Sequence, residues 1–523
     1  MRDTKNGKQR PSGLPAASAE KDRDKRQKRA VYGYMALFSL ASSFTIISSF
    51  RPESLAGAFL LTMLLLTVFY RDIARYKPRF FSGAKNLILL GVLITGTLAL
   101  ARLAHFMLLG MSKGFRLPHE SIIYAVPFAA GAMLAMLLFD SHTSIMFSFV
   151  ISLLAGLWLH DANYTVYTFM GSLTAAFSVI RCKKRTEILK GGAYLLAVNV
   201  ITASFIMLWS GRFFTEGAGF AVLFAAVGAV AATAAVSVAL PILEHLFGVT
   251  TDISLLELLN LDHPLMKTMM IAAPGTYHHS IIVGNLVESA AEEVGVNPLL
   301  ARVSAYYHDI GKIKMPEYFV ENQAGGASKH ERLTPHMSSM ILISHVKEGT
   351  ELARQYKLPG TVVDIIQQHH GNSVISYFYQ KAREKTEDLD EDQYKYPGPR
   401  PQTKVAALVM MADAVEAASR VLGDPTPARI SNLVGKIINH IFLEGQLDNC
   451  ELTLKDIQKI KQRFIYILNG ILHKRIDYPG FDFDREAGVA GTIGQLPKAD
   501  AGKQQADKER VSRAASMVWS PKS

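Results

Sequence analysis

The sequence predicts an all-α protein with two parts, a polytopic helical membrane bundle followed by an all-helical soluble domain. Hydrophobic residues make up 49% of the 523 residues and charged residues only 19%, which is too apolar for an ordinary soluble protein. The apolar residues are concentrated before about residue 246, and the charged residues lie after it and at the two ends. Beyond Gly248, apolar residues recur at helical spacing and alternating β-branched runs are scarce.

Eight apolar runs precede Glu244 and predict eight membrane-spanning helices, so a lipid bilayer is an expected partner. The fifth and sixth runs are at the short end for a spanning helix, and a re-entrant hairpin is the alternative there. The runs are 31–50, 54–70, 86–109, 121–139, 144–159, 164–180, 191–210 and 219–243.

Lysine and arginine are distributed unevenly over the connections between these runs. They are frequent at residues 21–29, 71–79 and 181–185, which would all lie on one side of an eight-span bundle. Loops rich in lysine and arginine face the cytoplasm, so we expect both termini and the soluble domain to be cytoplasmic. The same rule accounts for much of the net charge of +11, and no nucleic-acid polymer is expected as a partner.

Composition divides the chain into four predicted parts. Residues 1–30 are a basic cytoplasmic tail predicted to be disordered, and residues 31–245 are the membrane domain. Residues 246–485 form the soluble domain, and residues 486–523 are a second tail predicted to be disordered from its Ala, Gly, Lys, Gln and Ser content. Within the soluble domain, residues 384–404 contain an acidic run and then Tyr-Pro-Gly-Pro-Arg-Pro, which predicts a loop.

Seven residues with metal-ligand side chains are distributed over the predicted helices of the soluble domain. A carboxylate beside an imidazole, as in His308-Asp309, can bridge two metal ions while the imidazole binds one, which suits metal-assisted hydrolysis of phosphate esters. Helices can converge such ligands on one point, and five imidazoles with two carboxylates favour Fe, Mn, Co or Zn over Mg or Ca. The set is His279, His308, Asp309, His345, His369, His370 and Asp413.

Several neighbouring residues have two interpretations each. Lys312 either contacts a phosphate oxygen or is a solvated lysine after a turn. Glu416 and Arg420, four residues apart, either orient the ligand carboxylate, bind phosphate, or form a surface ion pair. His330 is expected to be an exposed loop histidine, and Gly311 is expected to permit a sharp exit from the preceding helix.

Six segments of the soluble domain resemble the HD-domain superfamily. The accompanying membrane half and the Tyr-Pro-Gly-Pro loop narrow the resemblance to bacterial seven-transmembrane HD-domain phosphodiesterases that hydrolyse cyclic di-AMP. The similarity covers nearly all of residues 31–480. The segments are 273–280, 305–312, 321–323, 367–371, 396–400 and 412–418.

The resemblance implies a centre of two divalent metal ions, with Fe or Mn most expected, and Asp309 bridging them. The first ion would be held by Asp309 with His279, His308 and Asp413, and the second by Asp309 with His345, His369 and His370. A hydroxide activated by both ions would hydrolyse cyclic di-AMP to pApA, with Asp309 and Lys312 as catalytic residues. The protein would lie in a bacterial plasma (inner) membrane, and the resemblance leaves a homodimer open.

Two alternatives keep the same architecture. The domain can be an HD phosphohydrolase acting on another nucleotide, or a membrane receptor that senses a nucleotide without cleaving it. A receptor would be expected to have lost ligands, whereas this chain has the full set. The chain also departs from the family pattern, because only a short connection near Arg51 stands where relatives carry a large extracytoplasmic domain. A regulatory signal would then act through the membrane bundle, a lipid or a partner.

Overall fold

The structure is a computed structural model, and it describes residues 15–47, 51–77, 84–115, 117–180, 182–323, 328–385 and 389–472. The chain forms two compact units, Met1–Ile253 and Ser254–Ser523. Within the described residues every regular element is a helix, and the β pairing is limited to an isolated bridge between Val374 and Lys395. The predicted all-α fold class is confirmed.

The first unit contains eight α-helices among its described residues, and each predicted apolar run overlaps one of them. Five of these are long and apolar enough to cross a membrane, so the chain is a membrane protein; they are Pro52–Tyr76, Ala84–Phe115, Ser141–Leu159, Arg185–Trp209 and Glu216–Phe247. Two are shorter: Ala162–Ser178 has 17 residues, and Ala129–Leu138 with the 3-10 turn before it covers Ile122–Leu138. The number of spans stays a prediction. The helices are α1 (Pro15–Ile46), α2 (Pro52–Tyr76), α3 (Ala84–Phe115), α4 (Ala129–Leu138), α5 (Ser141–Leu159), α6 (Ala162–Ser178), α7 (Arg185–Trp209) and α8 (Glu216–Phe247).

Two boundaries differ from the sequence-based expectation. Helix α1 begins at Pro15, inside the tail predicted to be disordered, because its first residues, Pro-Ala-Ala-Ser-Ala-Glu, are mostly strong helix formers. The division predicted after residue 245 falls within the last turn of α8, and the units separate at Ile253, which packs in the core of the first unit. Residues 1–14 and the predicted tail 486–523 lie outside the described residues.

Small residues let the elements of the membrane unit approach closely, as is common where helices pack in lipid. Gly228 of α8 lies against the 3-10 turn Ile122–Ala125, and a Cβ there would be 2.5 Å from the carbonyl oxygen of Tyr124. That carbonyl also accepts a hydrogen bond of 2.8 Å from the hydroxyl of Tyr167 on α6. Three elements therefore meet at one backbone oxygen, with no room for a methyl group.

We expect Gly228→Ala to destabilise the membrane unit by about 1–3 kcal/mol, because the added methyl must displace backbone atoms in a packed core. Thermal unfolding of the purified full chain in detergent, followed by circular dichroism, measures the effect. The matched control is Gly219→Ala on the same helix, where a Cβ meets nothing within 4 Å. Equal melting temperatures for the two variants would contradict this packing.

The second unit is built around the helix Lys404–Ser419, which is buried on all sides. It packs against the helices Pro274–Glu293, Pro298–Tyr307, Gly360–Gln368 and Pro427–Leu443. Residues 405–413 are all buried, and the last of them is the candidate ligand Asp413. Helix α13 packs against α14 and the 3-10 segment Ile310–Lys314. The remaining helices are α9 (Asp252–Leu258), α10 (Pro264–Ala272), α11 (Pro274–Glu293), α12 (Pro298–Tyr307), α13 (Pro335–Gln355), α14 (Gly360–Gln368), α15 (Ser376–Arg383), α16 (Lys404–Ser419), α17 (Pro427–Leu443) and α18 (Leu454–Ile471).

Candidate metal centre

The structure brings all seven predicted ligand residues together. They form two groups of four, within each of which the ligand atoms lie within 4.8 Å of one another, and Asp309 belongs to both. His370 is half-buried and the other six are buried. The first group is His279, His308, Asp309 and Asp413, and the second is Asp309, His345, His369 and His370.

The two carboxylate oxygens of Asp309 face different groups. Its Oδ2 lies 3.3 Å from Nε2 of His308 and 3.6 Å from Nε2 of His279. Its Oδ1 lies 3.3 Å from Nε2 of His345 and 3.7 Å from Nε2 of His369. Asp309 is therefore positioned between the two groups, with one oxygen available to each.

Three ligand imidazoles are oriented by the backbone of their own helices. In each, Nδ1 donates a hydrogen bond to the carbonyl oxygen three residues earlier, since a carbonyl can only accept. This fixes the tautomer and leaves the lone pair of Nε2 directed at the centre. The bonds are His308 to Ala305 at 2.7 Å, His345 to Leu342 at 2.5 Å and His369 to Ile366 at 2.7 Å.

His279 is oriented by a buried carboxylate instead. Its Nδ1 lies 2.5 Å from Oε2 of Glu416, whose side chain is almost fully buried. The other oxygen of Glu416 accepts a 2.7 Å hydrogen bond from Nε of Arg420. The sequence left three interpretations open for Glu416 and Arg420. The surface ion pair is wrong, because Glu416 is buried. Glu416 orients a ligand imidazole rather than the ligand carboxylate, an arrangement that commonly supports metal-bound histidine.

Charged groups keep the buried carboxylates ionised. Burial alone would raise the pKa of Asp309, but Lys312 and His308 hold it well below its usual range. Burial likewise opposes ionisation of Asp413, and the imidazoles of His279 and His308 beside it hold its pKa well below the usual range. Burial lowers the pKa of His279, yet the charges of Glu416 and Asp413 outweigh it and raise the pKa to about 9. The site is thus rich in buried negative charge, which requires cationic partners.

Three buried atoms of the centre lack a hydrogen-bond partner among the described residues, namely Nε2 of His308 and both carboxylate oxygens of Asp309. Buried polar atoms are normally paired, so atoms of this kind are candidates for another partner. Imidazole nitrogens with carboxylate oxygens are donors that first-row divalent metals accept. The residues present therefore fit divalent metal ions.

Lys312 is a buried part of this centre, so the solvated-lysine interpretation is wrong. Its side chain is 13% exposed, and its Nζ lies 2.7 Å from Oδ2 of Asp309 and 2.9 Å from Oε1 of Glu321. The ammonium group also lies 5.0 Å from the centre of the Phe319 ring. Lys312 therefore holds the shared carboxylate in place, and contact with a phosphate stays a prediction.

Three residues to which the sequence assigned no role connect Lys312 to the first turn of α11. The Thr276 hydroxyl donates to Oε1 of Glu321 at 3.0 Å, and the Thr276 backbone N–H donates to Oδ1 of Asn322 at 3.1 Å. The approach is close, because a Cβ on Gly275 would lie 1.9 Å from the carbonyl oxygen of Glu321. In the sequence these residues belong to segments 273–280 and 321–323, which carry the family resemblance but do not reveal the contacts.

The structure gives Gly311 a different reason from the expected one and shows the expectation for His330 to be wrong. The φ of Gly311 is not positive, but a Cβ there would lie 1.8 Å from the carbonyl oxygen of His345 and 2.5 Å from the backbone nitrogen of Gly349. Glycine is needed because α13 approaches so closely. His330 is buried rather than exposed, and its Nε2 donates a 2.8 Å hydrogen bond to the carbonyl oxygen of Tyr318.

Comparisons with known proteins agree with this arrangement. The family model described as a 7TM receptor with intracellular HD hydrolase matches residues 53–251, and the HD domain model matches residues 276–418. The cyclic-di-AMP phosphodiesterase PgpH of Bacillus subtilis is 34% identical over 463 residues, 86% of this chain and 63% of that protein. PgpH of Listeria monocytogenes is 38% identical over 365 residues, 69% of this chain and 51% of that protein.

A crystal structure of the L. monocytogenes PgpH HD domain in complex with cyclic di-AMP is 47% identical in sequence. It covers 41% of this chain and all of the other, with a TM-score of 0.40. This chain spans 63% and 51% of the length of the two PgpH relatives.

The chain has a helical membrane unit followed by a helical unit in which two groups of His and Asp side chains share Asp309. This combination defines a membrane-bound HD-domain protein. Residues 53–251 match the membrane part of the family of 7TM receptors with an intracellular HD hydrolase, and residues 276–418 match the HD domain family, so the chain resembles such proteins in both of its units.

We expect Glu416→Gln to weaken metal binding about 10- to 100-fold, because His279 loses the carboxylate that orients its ring. Titration of Mn²⁺ into the purified full chain measures the affinity. The matched control is Glu444→Gln, which removes the same group from a half-exposed histidine pair, His440 to Glu444 at 3.0 Å, and should bind as the wild type does. Wild-type affinity in Glu416→Gln would contradict the assigned role.

Proposed function

We propose that the protein is a membrane-bound, metal-dependent phosphodiesterase that hydrolyses a cyclic dinucleotide, cyclic di-AMP to pApA. The observation that carries this proposal is the position of Asp309, whose two oxygens face two separate groups of ligand atoms. One carboxylate shared by two such groups is the arrangement used by centres that bind a pair of metal ions.

Each part of the centre has a distinct task in this proposal. When bound, two divalent ions supply Lewis-acid activation of water and of the phosphodiester. Asp309 holds the two positions at a fixed separation, and Lys312 keeps its carboxylate ionised and oriented. The carbonyl-bound imidazoles and the His279–Glu416 pair hold the remaining donor atoms in place before substrate arrives. We propose Fe or Mn as the metal, since the donor set is rich in nitrogen.

The relatives support the choice of substrate. Two proteins that match 86% and 69% of this chain carry the name cyclic-di-AMP phosphodiesterase. Both matches extend beyond the HD domain into the membrane unit, so the similarity concerns the whole arrangement and not a widespread His–Asp pair alone. Cyclic di-AMP is therefore preferred over other nucleotides that HD domains hydrolyse.

The full chain, purified in detergent and loaded with Mn²⁺ or Fe²⁺, should convert cyclic di-AMP to pApA and act on cyclic di-GMP more slowly. The double variant His308→Ala/Asp309→Ala should lose at least about a hundredfold in rate, because it removes donors from both metal positions. Product analysis by chromatography measures both. Equal turnover by wild type and variant would reject the mechanism, and binding of cyclic di-AMP without turnover would favour the receptor alternative.

We also propose that eight spans place both termini and the HD domain in the cytoplasm of a bacterium. This proposal rests on the lysine- and arginine-rich segments 21–29, 71–79 and 181–185 and on the even number of apolar helical segments. A fluorescent protein fused to the C-terminus should mature, and alkaline phosphatase at the same position should stay inactive. An active phosphatase fusion would contradict the eight-span topology.

A further inference from the structure

One ligand imidazole is held differently from the others. His279, His308, His345 and His369 each have Nδ1 bonded to a carboxylate or a backbone carbonyl. Among the described residues, His370 forms no such hydrogen bond, and its nearest charged neighbour is Asp413, with 3.7 Å between Nδ1 and Oδ2. A histidine ring turns freely about its last side-chain torsion unless something fixes it.

The ring of Tyr396 packs against the face of the His370 imidazole, which no hydrogen bond to Nδ1 orients among the described residues. It is stacked on the imidazole of His370, with ring centres 4.2 Å apart and planes inclined by 26°. The same ring meets His345 edge to face, with centres 6.1 Å apart. Tyr396 thus contacts two ligands of one group and lies nearly parallel to the His370 imidazole, whereas the rings of His369 and His345, with centres 4.1 Å and 5.1 Å away, meet that imidazole at 44° and 87°.

Tyr396 is itself held in place by its surroundings. Its backbone N–H donates to the carbonyl oxygen of Ser373 at 3.0 Å, which ties its segment to the chain just after His370. Its side chain packs against a small core formed by Ile375, Phe378, Ala382 and Tyr394. The stacking ring is therefore a rigid part of the fold.

We infer that Tyr396 is a positioning residue that fixes the His370 imidazole for the second metal ion, by stacking and not through its hydroxyl. The inference rests on the proposed dinuclear centre. An unrestrained imidazole must lose its rotational freedom on binding the ion, and a fixed one does not. Removal of the ring therefore weakens the second metal position and leaves the first intact.

The test is a titration of Mn²⁺ into the full chain in detergent, followed by electron paramagnetic resonance, which separates coupled from isolated ions. Wild type should bind two ions in a spin-coupled pair. Tyr396→Ala should bind the first ion normally and the second at least about tenfold more weakly, as loss of an outer partner of a ligand histidine does. Tyr396→Phe, which keeps the ring, should behave as wild type. Cyclic di-AMP hydrolysis by Tyr396→Ala should recover at high Mn²⁺ with an unchanged KM.

A second variant separates positioning from general loosening of the loop. Tyr379→Ala removes a ring from the same small core, where Tyr379 packs against Tyr394 at 5.6 Å, and should bind Mn²⁺ as wild type does. Equal weakening in Tyr379→Ala, wild-type binding in Tyr396→Ala, or weakening in Tyr396→Phe each overturns the inference alone. A wild-type protein that binds fewer than two ions overturns the proposed function and the inference with it.

Discussion

The buried carboxylate of Asp309 is the constraint on which the rest of the second unit, here called the HD unit, depends. An ionised carboxylate away from water is costly unless several groups compensate for it, and here Lys312 and four imidazoles surround it. Those groups come from separate helices, so the packing of the unit has to bring the helices to one point. The close contacts at Gly311 and Gly275 are the places where that convergence leaves no room for a side chain.

Helix ends supply much of the orientation that the centre requires. Helices α12 and α14 end just before His308 and His369, and the last carbonyl groups of a helix have no partner within it. The imidazole Nδ1 atoms satisfy two of these carbonyls and thereby fix the ligand nitrogen on the opposite side of the ring. A single arrangement therefore terminates a helix and orients a ligand without recruiting another side chain.

The membrane unit, the helical class and the seven His and Asp residues that cluster could be predicted, because apolar runs and residue types suited to metal binding are properties of the sequence itself. The partners of those residues could not. Whether Glu416 meets an imidazole or solvent depends on the packing of α16 against α11, which are far apart in sequence. The burial of Lys312 and His330 likewise depends on where the segment around Phe319 folds back, and sequence spacing carries no information about that.

The series of hydrogen bonds and ion pairs from Thr276 through Glu321 and Lys312 to Asp309 has a mechanical consequence. Helix α11 reaches the centre twice, once through the ligand His279 and once through this series from its first turn. A displacement of α11 along its axis would move both ends together, so the ligand and the shared carboxylate respond as a coupled pair. A conformational change elsewhere in the HD unit that displaces α11 would therefore move His279 and Asp309 together.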